Sequence, residues 1–193
     1  MATTGATFPT AGATLANAGS SENSDAWVSP GNVVGDDGTN TSITAASYDS
    51  PDISQLLVAS DFNFAIPSGS TIDGITVVIE RNNAAGAASD NRVQLSTTTA
   101  FAGLVGDNKA ATATDWPAAM ATATYGSSSD DWAASLTAEQ LNDAGFSVML
   151  SVQADGANTD IAVDYLTVEV TYTPPAAADQ PYVNQTYRQL ASY

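Results

Sequence analysis

The chain has 193 residues, 44% of them hydrophobic, and sets four Lys and Arg against 21 Asp and Glu, for a formal net charge of -17. That length suits one β-sandwich with a core, alone or with arms, and leaves little room for two domains. The absence of His and Cys excludes imidazole acid–base chemistry, thiol nucleophiles, disulfides and His- or Cys-ligated metals, and the scattered cations Arg81, Arg92, Lys109 and Arg188 argue against nucleic acid or an anionic membrane as partner.

Residues 1–24 are Ala, Thr, Gly, Ser and Asn with few large apolar side chains, chiefly Phe8 and Leu15. Such a segment cannot bury enough surface to order itself alone. It reads as an N-terminal arm, flexible or ordered against a neighbour, with Phe8 and Leu15 as candidate subunit contacts. Met1-Ala2-Thr3-Thr4-Gly5 lacks a basic region followed by an apolar one, so no secretory signal is expected. No run approaches the roughly 18 apolar residues of a membrane helix, and the expectation is a soluble chain made in the cytoplasm.

The ordered body begins at Asp25-Ala26-Trp27-Val28 and meets turn signals at Pro30-Gly31 and Gly35-Asp36-Asp37-Gly38. Ser42–Ala46 is a short strand candidate. Gln55–Phe64 joins an apolar run to an alternation of Phe62 and Phe64 with Asp61 and Asn63, the period of a half-buried strand. After a turn over Ile66–Ser70, Thr71–Arg81 is rich in β-branched residues. A loop over Asn82–Ser89 separates it from a strand at Asn91–Ser96, and Phe101–Pro117 is a long connection. Met120–Tyr125 alternates small residues as a strand with little on either face.

Ser135–Asn142 is the one helix predicted, with Thr137 as N-cap, Gln140 completing a capping box and Gly145 able to end it. Phe146–Val152 and Asp160–Thr173 close the body as strands. In the last one Ile161, Val163 and Tyr165 alternate before Leu166, Val168, Val170 and Tyr172 take the other phase. That slip predicts a β-bulge near Asp164–Leu166.

The pattern predicts an all-β fold, a jelly-roll or β-sandwich with one short helix and extended N- and C-terminal arms. The arm at 1–24 precedes a sandwich domain over 25–173, and 174–193 forms the second arm. Pro174-Pro175 ends the last strand. Beyond them Tyr182, Val183, Tyr187, Leu190 and Tyr193 are candidate subunit contacts, because tyrosine gives a large amphipathic surface at low entropy cost. A disordered end, or packing on the parent domain, is the plainer reading of the same residues.

No phosphate-binding loop, dinucleotide fingerprint or nucleophile elbow is present. What remains is carboxylate chemistry, as in glycan hydrolases, but Glu22, Glu80, Glu139 and Glu169 sit in no motif, and no catalytic residue is assigned. Glu80 and Glu169 fall within strands, on a solvent face or a subunit contact. No cofactor is expected. A structural calcium ion needs only oxygen ligands, and two turns offer them, Gly35-Asp36-Asp37-Gly38-Thr39-Asn40 and Asp155-Gly156-Ala157-Asn158-Thr159-Asp160, though Asp-Gly pairs are more often turns alone. Trp27, Trp116 and Trp132 serve the core or an interface, or, as an alternative, a platform for sugar.

The stretch from Phe64 to Thr173 resembles structural proteins of tailed bacteriophages. The residues that carry this are Phe64-Ala65-Ile66-Pro67-Ser68-Gly69-Ser70-Thr71-Ile72-Asp73-Gly74-Ile75, Val77-Val78-Ile79-Glu80-Arg81, Thr124-Tyr125-Gly126, Asp131-Trp132 with Leu136-Thr137, and Val163 to Tyr172. The resemblance implies a non-enzymatic virion protein with a jelly-roll-like domain: a capsid decoration (cement) protein contacting the major capsid protein or other virion proteins. It further implies a homo-oligomer, a trimer being favoured. A tail or fibre component is the alternative within that family, and a carbohydrate-binding module using exposed tryptophan the alternative outside it.

Overall fold

The computed structural model describes residues 1–16, 22, 25–44 and 48–176. Strands β1 (Ala2–Thr3), β2 (Ala11–Leu15), β3 (Thr41–Thr44), β4 (Leu56–Ser60), β5 (Thr71–Ala85), β6 (Ala88–Ser96), β7 (Leu104–Val105) and β8 (Ala121–Ser127) precede helix α1 (Ala138–Asn142), and β9 (Ser147–Ala154) and β10 (Asp160–Thr173) follow it. They form two five-stranded sheets. Sheet A runs β1-β10-β5-β8, with β3 also paired to β10, and sheet B runs β2-β4-β9-β6-β7. Every strand pairing is antiparallel. The fold is a β-sandwich of jelly-roll type with one short α-helix.

Alternation decides which sheet face is wet. In β5 the side chains of Ile75, Val77 and Ile79 are buried between the sheets while Thr76, Val78 and Glu80 are half-exposed on the other side. Val93 and Leu95 of β6, Val148, Leu150 and Val152 of β9, and Leu166, Val168 and Val170 of β10 meet them in the same core. Sheet B is covered on its far side as well. Leu56, Val58 and Met149 form a second cluster there beneath Leu15, Phe101 and Leu104. Burial on both faces is why β4 and β9 read as continuous apolar runs.

The predicted bulge is present: the register of β10 against β5 shifts between Val163 and Leu166. Helix α1 has both bonds of its capping box, Gln140 N–H to the Thr137 hydroxyl and Thr137 N–H to the Gln140 side chain. The helix ends at Asp143 in extended conformation, and Gly145 only donates to the Asp143 carboxylate at 2.7 Å.

Several expectations need correction. Residues 1–16, read as part of an N-terminal arm, belong to the body: β1 pairs with Thr171 and Tyr172, and β2 pairs with all of β4. Small residues are what this position demands, since a side chain on Gly12 would strike the backbone of Pro30. The 82–89 loop shrinks to a tight hairpin, with β5 running on to Ala85 and Gly86 turning at φ 77°. Phe62 and Phe64 are buried and stacked at 5.5 Å, but outside any strand. Their alternation arises from left-handed Asp61 and Asn63 (φ 59° and 53°), which swing successive side chains to one side. The long connection carries the short strand β7. The 177–193 segment, with Tyr182, Val183, Tyr187, Leu190 and Tyr193, lies outside the described residues.

Candidate functional site

Two groups of buried charged side chains stand out among the described residues. The first is structural and joins the sheets. Asp90, on β6, is 1% exposed and accepts from the Arg81 guanidinium, Trp116 Nε1 (2.7 Å), the Tyr125 hydroxyl (2.8 Å) and Ala111 N–H (2.9 Å). Arg81 also lies 4.6 Å from the centroid of the Trp116 ring. Burial, then the charge of Asp90, pushes the Tyr125 phenol well above its ordinary range. Within sheet B, a salt bridge between Arg92 of β6 and Glu22 ties residue 22 to the sheet, and Ser151 of β9 donates to the same carboxylate at 3.1 Å.

The three tryptophans belong to this structural set, as the core reading of them expects, and the alternative of an exposed tryptophan platform for sugar is not met. Trp27, Trp116 and Trp132 are 3%, 3% and 0% exposed. Each indole N–H is used inside the fold, Trp27 on Gln55 O at 2.9 Å and Trp132 on Ile75 O at 2.8 Å. In a chain of modest aromatic content, these rings fill the core.

The second group lies on the outer face of sheet A, and the bulge builds it. Between the pairs Val163↔Arg81 and Leu166↔Ile79, Asp164 and Tyr165 together oppose the single residue Glu80. The edge of β10 beyond β3 is lined by Val34, which bridges to Tyr165, and by Thr7, which bridges to Val168. The first of these contacts brings the Gly35–Gly38 turn over the bulge. Asp36, Glu80 and Asp164 thereby converge, with carboxylate oxygens all within 4.8 Å of one another. Gly38 N–H donates to Asp164 Oδ2 at 3.2 Å, while Asp164 Oδ1 is buried and has no hydrogen-bond partner. Glu80 is pushed above the usual carboxylate range by desolvation and by the charges of Asp164 and Asp36. The same three acids, after burial, raise the Tyr165 phenol.

Beside this cluster, Phe8 meets Tyr165 edge-to-face at 5.8 Å and remains 38% exposed, as Val34 is at 37%. Phe8 therefore contributes to an exposed apolar patch, whereas Leu15 packs against the second core cluster. On the other side a cleft of about 300 Å³ is lined by polar side chains including Asn40, Ser42, Asn82 and Asp160. Asn82 shares the outer face of β5 with Glu80, and its Oδ1 is buried without a partner. Among the described residues the second acidic turn, Asp155–Asp160, forms no such cluster; Asp155 accepts from Gln153 Nε2 at 3.3 Å.

Sheet A also ends in an open edge. Strand β8, Ala-Thr-Ala-Thr-Tyr-Gly-Ser, pairs with β5 on one side, and among the described residues no strand pairs with the other. It carries no charge and no proline, and Ala121, Thr122, Thr124 and Ser127 are exposed.

No family model and no curated protein matches this chain. Two solved structures show a distant likeness. One is described as "CBM4 structure and function", with 13% identity and a TM-score of 0.36 over 70% of this chain and 82% of its own. The other is the N-terminal cellulose-binding domain of a Cellulomonas fimi β-1,4-glucanase C, with 13% identity and a TM-score of 0.30 over 72% and 78%. Neither likeness bears on what this chain binds. No helix among the described residues is long and apolar enough to cross a membrane.

Proposed function

We propose that this chain is a non-catalytic structural protein that works by pairing with other protein chains, as a decoration protein bridging neighbouring capsid subunits in a tailed-phage virion. The observation that carries the pairing is the β8 edge. Folded proteins ordinarily guard such an edge with lysine, proline or a bulge, and Ala121–Tyr125 has none of these before the strand turns aside at the left-handed Gly126. Its small side chains let a partner backbone approach closely, so an added strand gains main-chain hydrogen bonds with little steric cost. The virion setting rests on the sequence resemblance. The high negative charge agrees with a surface turned away from packaged nucleic acid.

The test is the solution mass by light scattering of the full chain, of a chain lacking 174–193, and of a Thr122→Lys/Thr124→Lys double variant. Both threonines are exposed, so the fold should tolerate the change. A trimer or larger ring that falls to monomer in the lysine variant supports edge pairing. Dissociation on loss of 174–193 would add the tyrosine-rich tail as an anchor. A monomer in all three cases overturns self-pairing.

A sugar-binding reading is favoured by one observation, the cleft beside β3 that sets amide, hydroxyl and carboxylate groups next to the apolar Ala84, Ile161 and Ala162. Such groups can hydrogen-bond a saccharide without any tryptophan. An oligosaccharide titration followed by NMR, with shifts confined to Asn40, Ser42 and Asn82 and lost in Asn82→Ala, would establish it.

A further inference from the structure

Three acidic side chains from distant parts of the chain meet on sheet A, and none of the described cations attends them. Arg81 is engaged with Asp90, Arg92 with Glu22, and Lys109 with Asp107 and Asp130. Like charges gathered without a counter-ion repel, and a carboxylate taken out of water without hydrogen bonds is costlier still. Asp164 meets that description: it is 3% exposed, one oxygen takes a single backbone N–H, and the other takes nothing. Its position is imposed by a bulge that aims it at Glu80, while the Val34 bridge carries Asp36 onto the same point.

We propose that Asp36, Glu80 and Asp164 form a binding site for a calcium ion, which supplies the charge that the fold withholds. The donor chemistry selects a hard cation, because every offered ligand is a carboxylate oxygen and the chain has no imidazole or thiol. Coordination habit separates calcium from magnesium. Calcium accepts an irregular, flexible set of oxygens, whereas magnesium demands a near-ideal octahedron and gives up its water reluctantly. Three carboxylates brought together from a turn and two strands, within 4.8 Å of one another, are the irregular kind. Asp36 is exposed and Glu80 half-exposed, leaving room for water to complete the shell. Binding would pin the 35–38 turn to β5 and β10, so the ion acts as a clasp across the edge of sheet A.

The experiment uses the full chain freed of metal by chelation, titrated calorimetrically with calcium chloride and separately with magnesium chloride. Thermal unfolding is followed alongside. Calcium should bind at one site, at least tenfold more tightly than magnesium. At a hundredfold excess over its dissociation constant it should raise Tm by about 5–10 °C. Glu80→Gln should lower calcium affinity at least tenfold, yet raise the Tm of the metal-free protein by relieving repulsion. Asp155→Asn, in the other acidic turn, should bind calcium as the parent does. No heat and no Tm shift with millimolar calcium would overturn the site. So would equal affinity for the two ions, or a Glu80→Gln protein that binds calcium unchanged.

Discussion

Asp90 and Asp164 are both carboxylates removed from water, 1% and 3% exposed, in opposite surroundings. Asp90 lies between the sheets and is met by a guanidinium, an indole, a phenol and a backbone N–H. Asp164 lies under a surface turn and is met by one N–H and two further acids. The interior of a sandwich is closed once the sheets pack, so a charge placed there must fold together with its own counter-charge. A charge beneath a turn can take its partner from solution. The comparison teaches that burial alone does not set the two acids apart; the missing counter-charge at Asp164 does.

The comparison can be broken most sharply at Asp90. Asp90→Ala should destabilise by about 3–5 kcal/mol, because it strands a buried guanidinium and two ring donors; urea unfolding measures it, and a loss under 1 kcal/mol would mean the network is not a unit. Trp116→Phe removes a single donor to Asp90 and should cost about 1–2 kcal/mol in the same assay. Thr137→Ala, remote from both acids, calibrates these values: loss of the capping box should cost about 1 kcal/mol. At the other acid the sign reverses. Glu80→Gln in chelator should stabilise by about 0.2–1 kcal/mol, as expected when facing like charges are relieved, and destabilisation there would mean that Glu80 already has a compensating partner.

The smallest effect is in pH. The Trp132 backbone N–H, followed by the Lys109 ammonium, holds the Asp130 carboxyl below its ordinary value. A folded pKa below the unfolded one contributes stability that is full above the unfolded value, near 3.8, and lost as pH falls through the folded one. Asp130→Asn should therefore flatten the acid limb of the Tm–pH curve below about pH 4 and leave the neutral part with the same slope.

Period and punctuation determined much of this protein. Alternation at Ile75–Ile79 and Val93–Leu95, the phase slip after Val163 and the Thr137–Gln140 box each state a backbone geometry within a few residues, and each is found. Residues 1–16 and the hairpin at Gly86 were not legible, because strands of Ala, Thr and Gly have no contrast between faces; their pairing depends on β4 and β10, far away in the chain. The acidic cluster divides the same way. The bulge and the Gly35–Gly38 turn could be read singly, as local backbone signals. That Asp36 and Asp164 both face Glu80 was decided only by the tertiary structure, since antiparallel register joins residues that share no local pattern. Burial of the three tryptophans was settled in the same manner: a Trp can serve a core or a surface equally well, and only the closing of two sheets around Trp27, Trp116 and Trp132 selects the core.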